Sequence, residues 1–271
     1  MSEMTIETPK EYRKILQRDL PYLPWQEEKT RRLPGIQPLD LKDWILVDEA
    51  FAAQMAYRDW LLIHRRDRVF GCVDGFDDAV ATELLEVLLA HLDTLDGYHA
   101  HQDGVMRPDG VKVSLTSDHP LVVAARLVQN DFVIMQREDA SDRFTAAALC
   151  FPASWTLSEK LGRNMAGIHV PVTAYDDGLE RRVTRLFDAL RVEQPLWRAN
   201  YLSYEDPDLF QPRTEDNRYH RGGNFMRVER QSLRRLARSG AVVFGIHSFV
   251  VPMQTDWQKE LDALNTAADP F

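Results

Sequence analysis

Leu84, Leu85, Leu88, Leu92 and Leu95 recur at steps of three and four, so Asp77 to Leu95 predicts an amphipathic helix that Asp77 or Asp78 is placed to cap. Asp40 to Arg66 shows a similar helical pattern, and Gly178 to Arg191 predicts a third helix with Leu179, Val183, Leu186, Phe187 and Leu190 inward. From residue 131 the pattern changes to short apolar runs. DFVIMQRE and FTAAALCF flank the charged turn REDASDR and predict a hairpin. Further strands are predicted around Trp197 to Tyr204, Asn224 to Glu229 and Ala241 to Val251. In the last of these Val242, Phe244, Ile246, Ser248 and Val250 share one face, and Val243, Gly245, His247 and Phe249 the other. Arg230 to Arg238 reads as a basic helical turn after the Asn224 strand. The sum is an α+β fold, a single domain over 41–271 with an antiparallel sheet of about five strands and helices covering one side. Residues 1–40, rich in Pro, Arg and aromatics, read as an arm that drapes over it.

Composition narrows the function classes. Among 271 residues, 33 Lys and Arg against 42 Asp and Glu give a net charge of −9, which argues against nucleic acid and anionic membrane surfaces as partners. The N-terminus has no apolar signal region, and the apolar stretch Ala79 to Leu95 is broken by Glu83, Glu86, His91 and Asp93, so neither export nor membrane insertion is expected. Two cysteines, Cys72 and Cys150, cannot build a disulfide framework or a four-thiolate centre, and a reducing cytoplasm fits them.

No glycine-rich phosphate loop, GxSxG elbow or HExxH pair occurs, so a redox role needs electrons from elsewhere. His99 and His101 form the one close histidine pair, and a solvated loop is the plainer reading of it. Two stretches concentrate unusual residues. In CFPASWTLSEKLGRNMAGIHVPV, Pro171 stiffens the chain around His169, which is expected in extended backbone and is either a ligand or a satisfied structural histidine. Lys160 and Arg163 read equally well as surface charges. In NFMRVERQSLRRLAR, alternation sets Arg227 beside Glu229, which suits a structural ion pair, an anion site or a base next to a carboxylate-binding arginine. Gln211 to Gly223 is polar and reads as a loop near a site.

At these stretches the chain resembles the haem-dependent oxidative N-demethylases. The shared landmarks are LPGIQPLD (33–40), LCFPASWTLSEKLG (149–162), IHVPV (168–172), Arg198 and Asn200 in WRANY, RVERQSL (227–233) and AVVFGIHSF (241–249). The resemblance implies a PAS-like fold with a haem b pocket between the curved sheet and its helices. It carries the axial ligand onto His169, with His247 as the alternative, and haem contacts onto Arg198, Asn200, Arg227 and Arg230. Glu229 becomes the catalytic group near the amine. The implied reaction is O2-dependent removal of an N-methyl group from a small alkylamine as formaldehyde. Electrons would come from an external NADPH-dependent flavin and iron–sulfur reductase, for which the arginines near 230 to 238 offer a dock. A haem-binding PAS-like sensor is an alternative, as is a different haem-dependent amine oxidation. The second is kept open by His247-Ser248-Phe249 and Tyr201, where the family usually carries Arg-Thr-Tyr and Trp.

Overall fold

The computed structural model describes residues 9–31, 35–138, 141–169, 184–214, 217 and 222–267. Among these, ten strands form two antiparallel sheets. The strands are β1 Gln37–Pro38, β2 Phe70–Cys72, β3 His99–His101, β4 Gly104–Met106, β5 Lys112–Ser114, β6 Asp131–Glu138, β7 Ser141–Ala148, β8 Leu196–Tyr204, β9 Phe225–Arg235 and β10 Val242–Pro252. The large sheet has seven strands in the order β1-β8-β9-β10-β6-β7-β2, against the five expected, and β3-β4-β5 form a separate small sheet. The difference comes from two- and three-residue edge strands, which are too short for a period-2 pattern to show. The predicted hairpin is β6–β7. The segment after Glu229 is not helical: β9 continues to Arg235, because its whole length pairs with β10 and its residues up to Leu233 also pair with β8.

Four longer helices are α1 Phe51–His64, α2 Asp78–Leu92, α3 Pro120–Leu127 and α4 Thr255–Ala267. Asp77 caps α2 by accepting from the Ala79 amide, as expected. Leu84 and Leu88 on its inner face are fully buried, each contributing roughly 1.5–3 kcal/mol of transfer free energy. The helix predicted from Asp40 begins only at Phe51. Before it, Asp40 caps a 3-10 turn at Leu41–Asp43, Trp44 and Ile45 enter the core, and Asp48 turns inward to accept from Gln129. Of the helix predicted at Gly178 to Arg191, residues 184–189 are helical and the part before them lies outside the described residues.

Both faces of the large sheet are covered, where cover on one side was expected. On one face Phe132, Ile134, Ala146, Ala148 and Val243 pack against α1, α2 and α3. Farther along that face, Trp25 of the arm and Trp257 of α4 cover Met226, Val228, Phe249 and Val251. On the other face Val133, Met135, Leu233, Val242 and Ile246 meet Leu157, Phe187 and Leu190, with Met165 and Ile168 beside them. Cover on both sides explains why the central strand β10 is buried along nearly its whole length. Gly223 brings the chain back to β9 at a φ of +152°, and a Cβ there would lie 2.0 Å from the Tyr204 carbonyl carbon.

Candidate functional site

Register assigns every candidate on β8, β9 and β10 to a face. Glu229 pairs with Asn200 and Ser248, Arg198 with Gln231, and Arg227 with Leu202 and Val250, so all of these share one surface. Arg230 pairs with Ala199 and His247, on the opposite surface. We call these the Glu229 face and the His247 face.

On the Glu229 face, Arg227 is almost fully buried and donates to Leu209 O at 2.9 Å, Phe151 O, Glu229 Oε1 at 3.1 Å and Ser248 Oγ at 3.1 Å. Gln231 Nε2 donates to Glu229 Oε2 at 3.1 Å, so both oxygens of the buried carboxylate are held by neighbours two residues away on the same strand. Gln231 and Ser248 are partners that sequence reasoning missed. The Gln231 signal was present as the next step of the Arg227, Glu229 alternation.

Arg198 stands in contrast. Its guanidinium makes no hydrogen bond or ion pair among the described residues, and its Nε, like that of Arg227, is buried without a partner. Burial pushes the guanidinium below its ordinary pKa, and Glu229 acts against that shift without cancelling it. Arg227 and Glu229 neutralise each other, so Arg198 leaves a surplus positive charge that suits a carboxylate ligand. Asn200, across from Glu229, is partly buried.

The loop over this face is firmly held. Ser154 adopts φ +62°, a left-handed conformation rare outside glycine, and its hydroxyl lies 2.8 Å from Tyr204 Oη. His169 ends the short helix Met165–His169 and so is not in extended chain; its side chain lies outside the described residues, as does Pro171. Met165 and Ile168 of that helix pack toward the Glu229 face. Lys160 is buried and donates to Ile168 O at 2.6 Å, and Arg163 donates to Gly167 O, so neither is merely a surface charge. Residues 215–216 and 218–221 of the predicted polar loop also lie outside the described residues.

His247, on the opposite face, is fully buried. Its Nε2 lies 3.0 Å from Asp48 Oδ2, which also accepts from Gln17, and its Nδ1 has no partner. A groove of about 340 Å³ opens on that side among Gln17, Asp19, Leu20, Asp48, Glu49 and Phe249. The arginines after residue 230 are largely committed. Arg235 donates to the carbonyls of Leu190, Phe187 and Gly240, and Arg238 pairs with Glu86. His99 and His101 sit on the exposed strand β3, and no group of three or more metal-binding side chains occurs among the described residues.

The model of one family, described as haem-dependent oxidative N-demethylase, alpha subunit-like, matches residues 35–267. The chain belongs to that family. An oxidative N-demethylase-like function that depends on haem follows from the membership, and "alpha subunit-like" implies a partner subunit. The Glu229 face fits the cofactor: haem carries two propionates, and Arg198 is a partly buried cation with no ion pair among the described residues. Among the described residues no helix is long and apolar enough to cross a membrane.

Proposed function

We propose that this chain holds haem b against the Glu229 face and, with O2, removes an N-methyl group from a small alkylamine as formaldehyde. Electrons come from a separate NADPH-dependent flavin and iron–sulfur reductase, a need consistent with the absence of any dinucleotide fingerprint in the sequence. The observation that carries this reading is the partly buried Arg198, whose buried Nε has no partner, on the same face as the buried Glu229.

When bound, haem supplies the oxygen chemistry that oxidises the N-methyl carbon. The chain's residues bind, orient and handle the proton. Arg198 holds a propionate. Arg227, whose two terminal nitrogens donate to protein acceptors, fixes Glu229 and ties the Phe151 and Leu209 loops to β9. A carboxylate offers about four lone-pair sites, of which Arg227 and Gln231 use two. The others accept N–H bonds from an alkylammonium, and Glu229 takes the proton that must leave before the nitrogen lone pair assists oxidation. Asn200 orients the amine from β8. His169 would hold the haem iron in this reading, and the resemblance in IHVPV supports it. Arg230 and His247, on the other face, take no part.

Hemin titration of the purified protein tests the reading. A Soret band is expected in the wild type and in Glu229→Gln, with formaldehyde release from dimethylated amines, in the presence of O2 and a surrogate chemical reductant, lost in Glu229→Gln. Arg198→Ala is expected to weaken hemin binding, and His169→Ala to alter the spectrum. A protein that stays colourless, or a Glu229→Gln variant with unchanged turnover, would refute it.

A further inference from the structure

The His247 face carries a second cluster of unpaired cations. Arg230, 6% exposed, has one long hydrogen bond, from Nη1 to Trp44 O at 3.4 Å, and its guanidinium carbon lies 5.5 Å from the centre of the Trp197 ring. Arg234 stacks 4.2 Å above Trp44, and its Nη1 is buried without a partner. Neither forms an ion pair among the described residues. Burial leaves both guanidiniums below their ordinary values, and for Arg230 Tyr22 and Asp43 act against that shift only through space.

Unpartnered polar atoms gather around them. Trp44 Nε1, His91 Nε2 and Tyr22 Oη are all buried without hydrogen bonds. The rings interlock: His91 lies edge-on to Trp44 at 5.3 Å and Tyr22 edge-on to Trp197 at 5.3 Å. Stacking on indole offsets only part of the desolvation of each guanidinium. The penalty for a buried charge without a counter-ion is larger than that gain. Two such cations side by side, ringed by idle donors, therefore lack a negative group. Arg234 and Trp197 are only partly buried, so the cluster is reachable from solvent on their side.

We propose that Trp44, Arg230 and Arg234 form a binding site for an oxyanion, a carboxylate or phosphate group on a small ligand other than haem. Arg234 supplies the accessible half of the clamp and Arg230 the buried half. The sheet separates this site from Glu229, since Arg230 and Glu229 are adjacent on β9 and project to opposite sides.

The test is calorimetric titration of the full-length protein with inorganic phosphate and with benzoate, at ionic strength held constant with sodium chloride, in haem-free and haem-loaded forms. Saturable binding of at least one probe is expected in both forms. Arg234→Gln should weaken it by about tenfold or more, the loss of a charge-assisted bidentate contact. Arg198→Gln should leave it unchanged. Arg234→Lys, which keeps the charge on a slimmer side chain, serves if Arg234→Gln fails to fold, and should weaken binding by a smaller factor. Absence of saturable binding would overturn the proposal. So would binding lost in Arg198→Gln but kept in Arg234→Gln, and so would binding abolished by haem, which would assign the cluster to the propionates.

Discussion

Arg227 donates to Glu229 from two residues away on the same strand, 3.1 Å between Nη2 and Oε1, with both side chains at most 6% exposed. The two charges cancel in a buried setting, and Arg227 also donates to two separate loops, at Phe151 and Leu209. The pair is thus both a piece of the fold and the mount for the proposed base.

Removing Arg227 strands a buried carboxylate and frees two loops. Arg227→Met is expected to lower the unfolding free energy by about 3–5 kcal/mol. Adding Glu229→Gln to it should cost less than the sum of the single changes, since no unpaired charge then remains. Urea denaturation of the cycle measures this, and strict additivity would show that the pair is not coupled.

A second buried pair anchors the same loop from below. Asp131 accepts from Arg58 Nη1 at 2.6 Å and from the amides of Cys150 and Phe151 at 2.8 Å. Burial opposes the Arg58 charge, yet Asp131 holds its pKa above the ordinary value. Asp131→Ala should destabilise by about 3–5 kcal/mol, detected as a lower denaturation midpoint. A change within experimental scatter would mean that the loop is held by other contacts.

Asp48 sets an acid limit on stability. Burial pushes its pKa up, but hydrogen bonds from His247, Gln129 and Gln17 together with the His247 charge bring it below the usual carboxylate value. A carboxyl lowered on folding contributes stability that is complete above its unfolded pKa of about 3.9 and is lost as pH falls through the lowered folded value. Asp48→Asn should therefore show a shallower decline in unfolding free energy on acidification below about pH 5. Parallel pH profiles of the two proteins would contradict the assignment.

Neither cysteine is activated. Burial, with Asp78 adding to it, raises the Cys72 thiol to about 11, and burial raises Cys150 to about 12. His119 does not serve Cys72 as a base: its Nδ1 accepts from the Leu121 amide, so in the neutral ring the proton sits on Nε2, which faces Asp78 at 3.1 Å and Cys72 Sγ at 3.9 Å. At pH 8 the native protein should alkylate with iodoacetamide at least roughly a hundredfold more slowly than an unperturbed thiol, and both sites should react once it is unfolded. Mass spectrometry of the labelled protein decides; rapid native labelling of Cys72 would refute the shift.

Much of the fold was legible because its signals are local. A helix over Asp78–Leu92 and its Asp77 cap follow from 3.6-residue periodicity and one side-chain bond, and the β6–β7 hairpin from two apolar runs around a charged turn. The helix expected from Asp40 failed because Trp44 and Asp48 are drawn to partners far along the chain, a preference that no local window contains. Of the candidate site, the Arg227–Glu229 adjacency was readable from alternation, whereas Lys160 looked like a surface charge until its carbonyl partner was in place.

The sequence by itself determined which residues of each strand stand together, because the side-chain period of an extended chain is two whatever it packs against. Thus Arg227, Glu229 and Gln231 had to share a side, and Arg230 had to leave it. Only the tertiary structure decided what each side meets. Cover on both faces of β10, the register that sets Asn200 against Glu229, and the contact of His247 with Asp48, 199 residues away, all come from long-range burial, whose free energy depends on the whole assembled core.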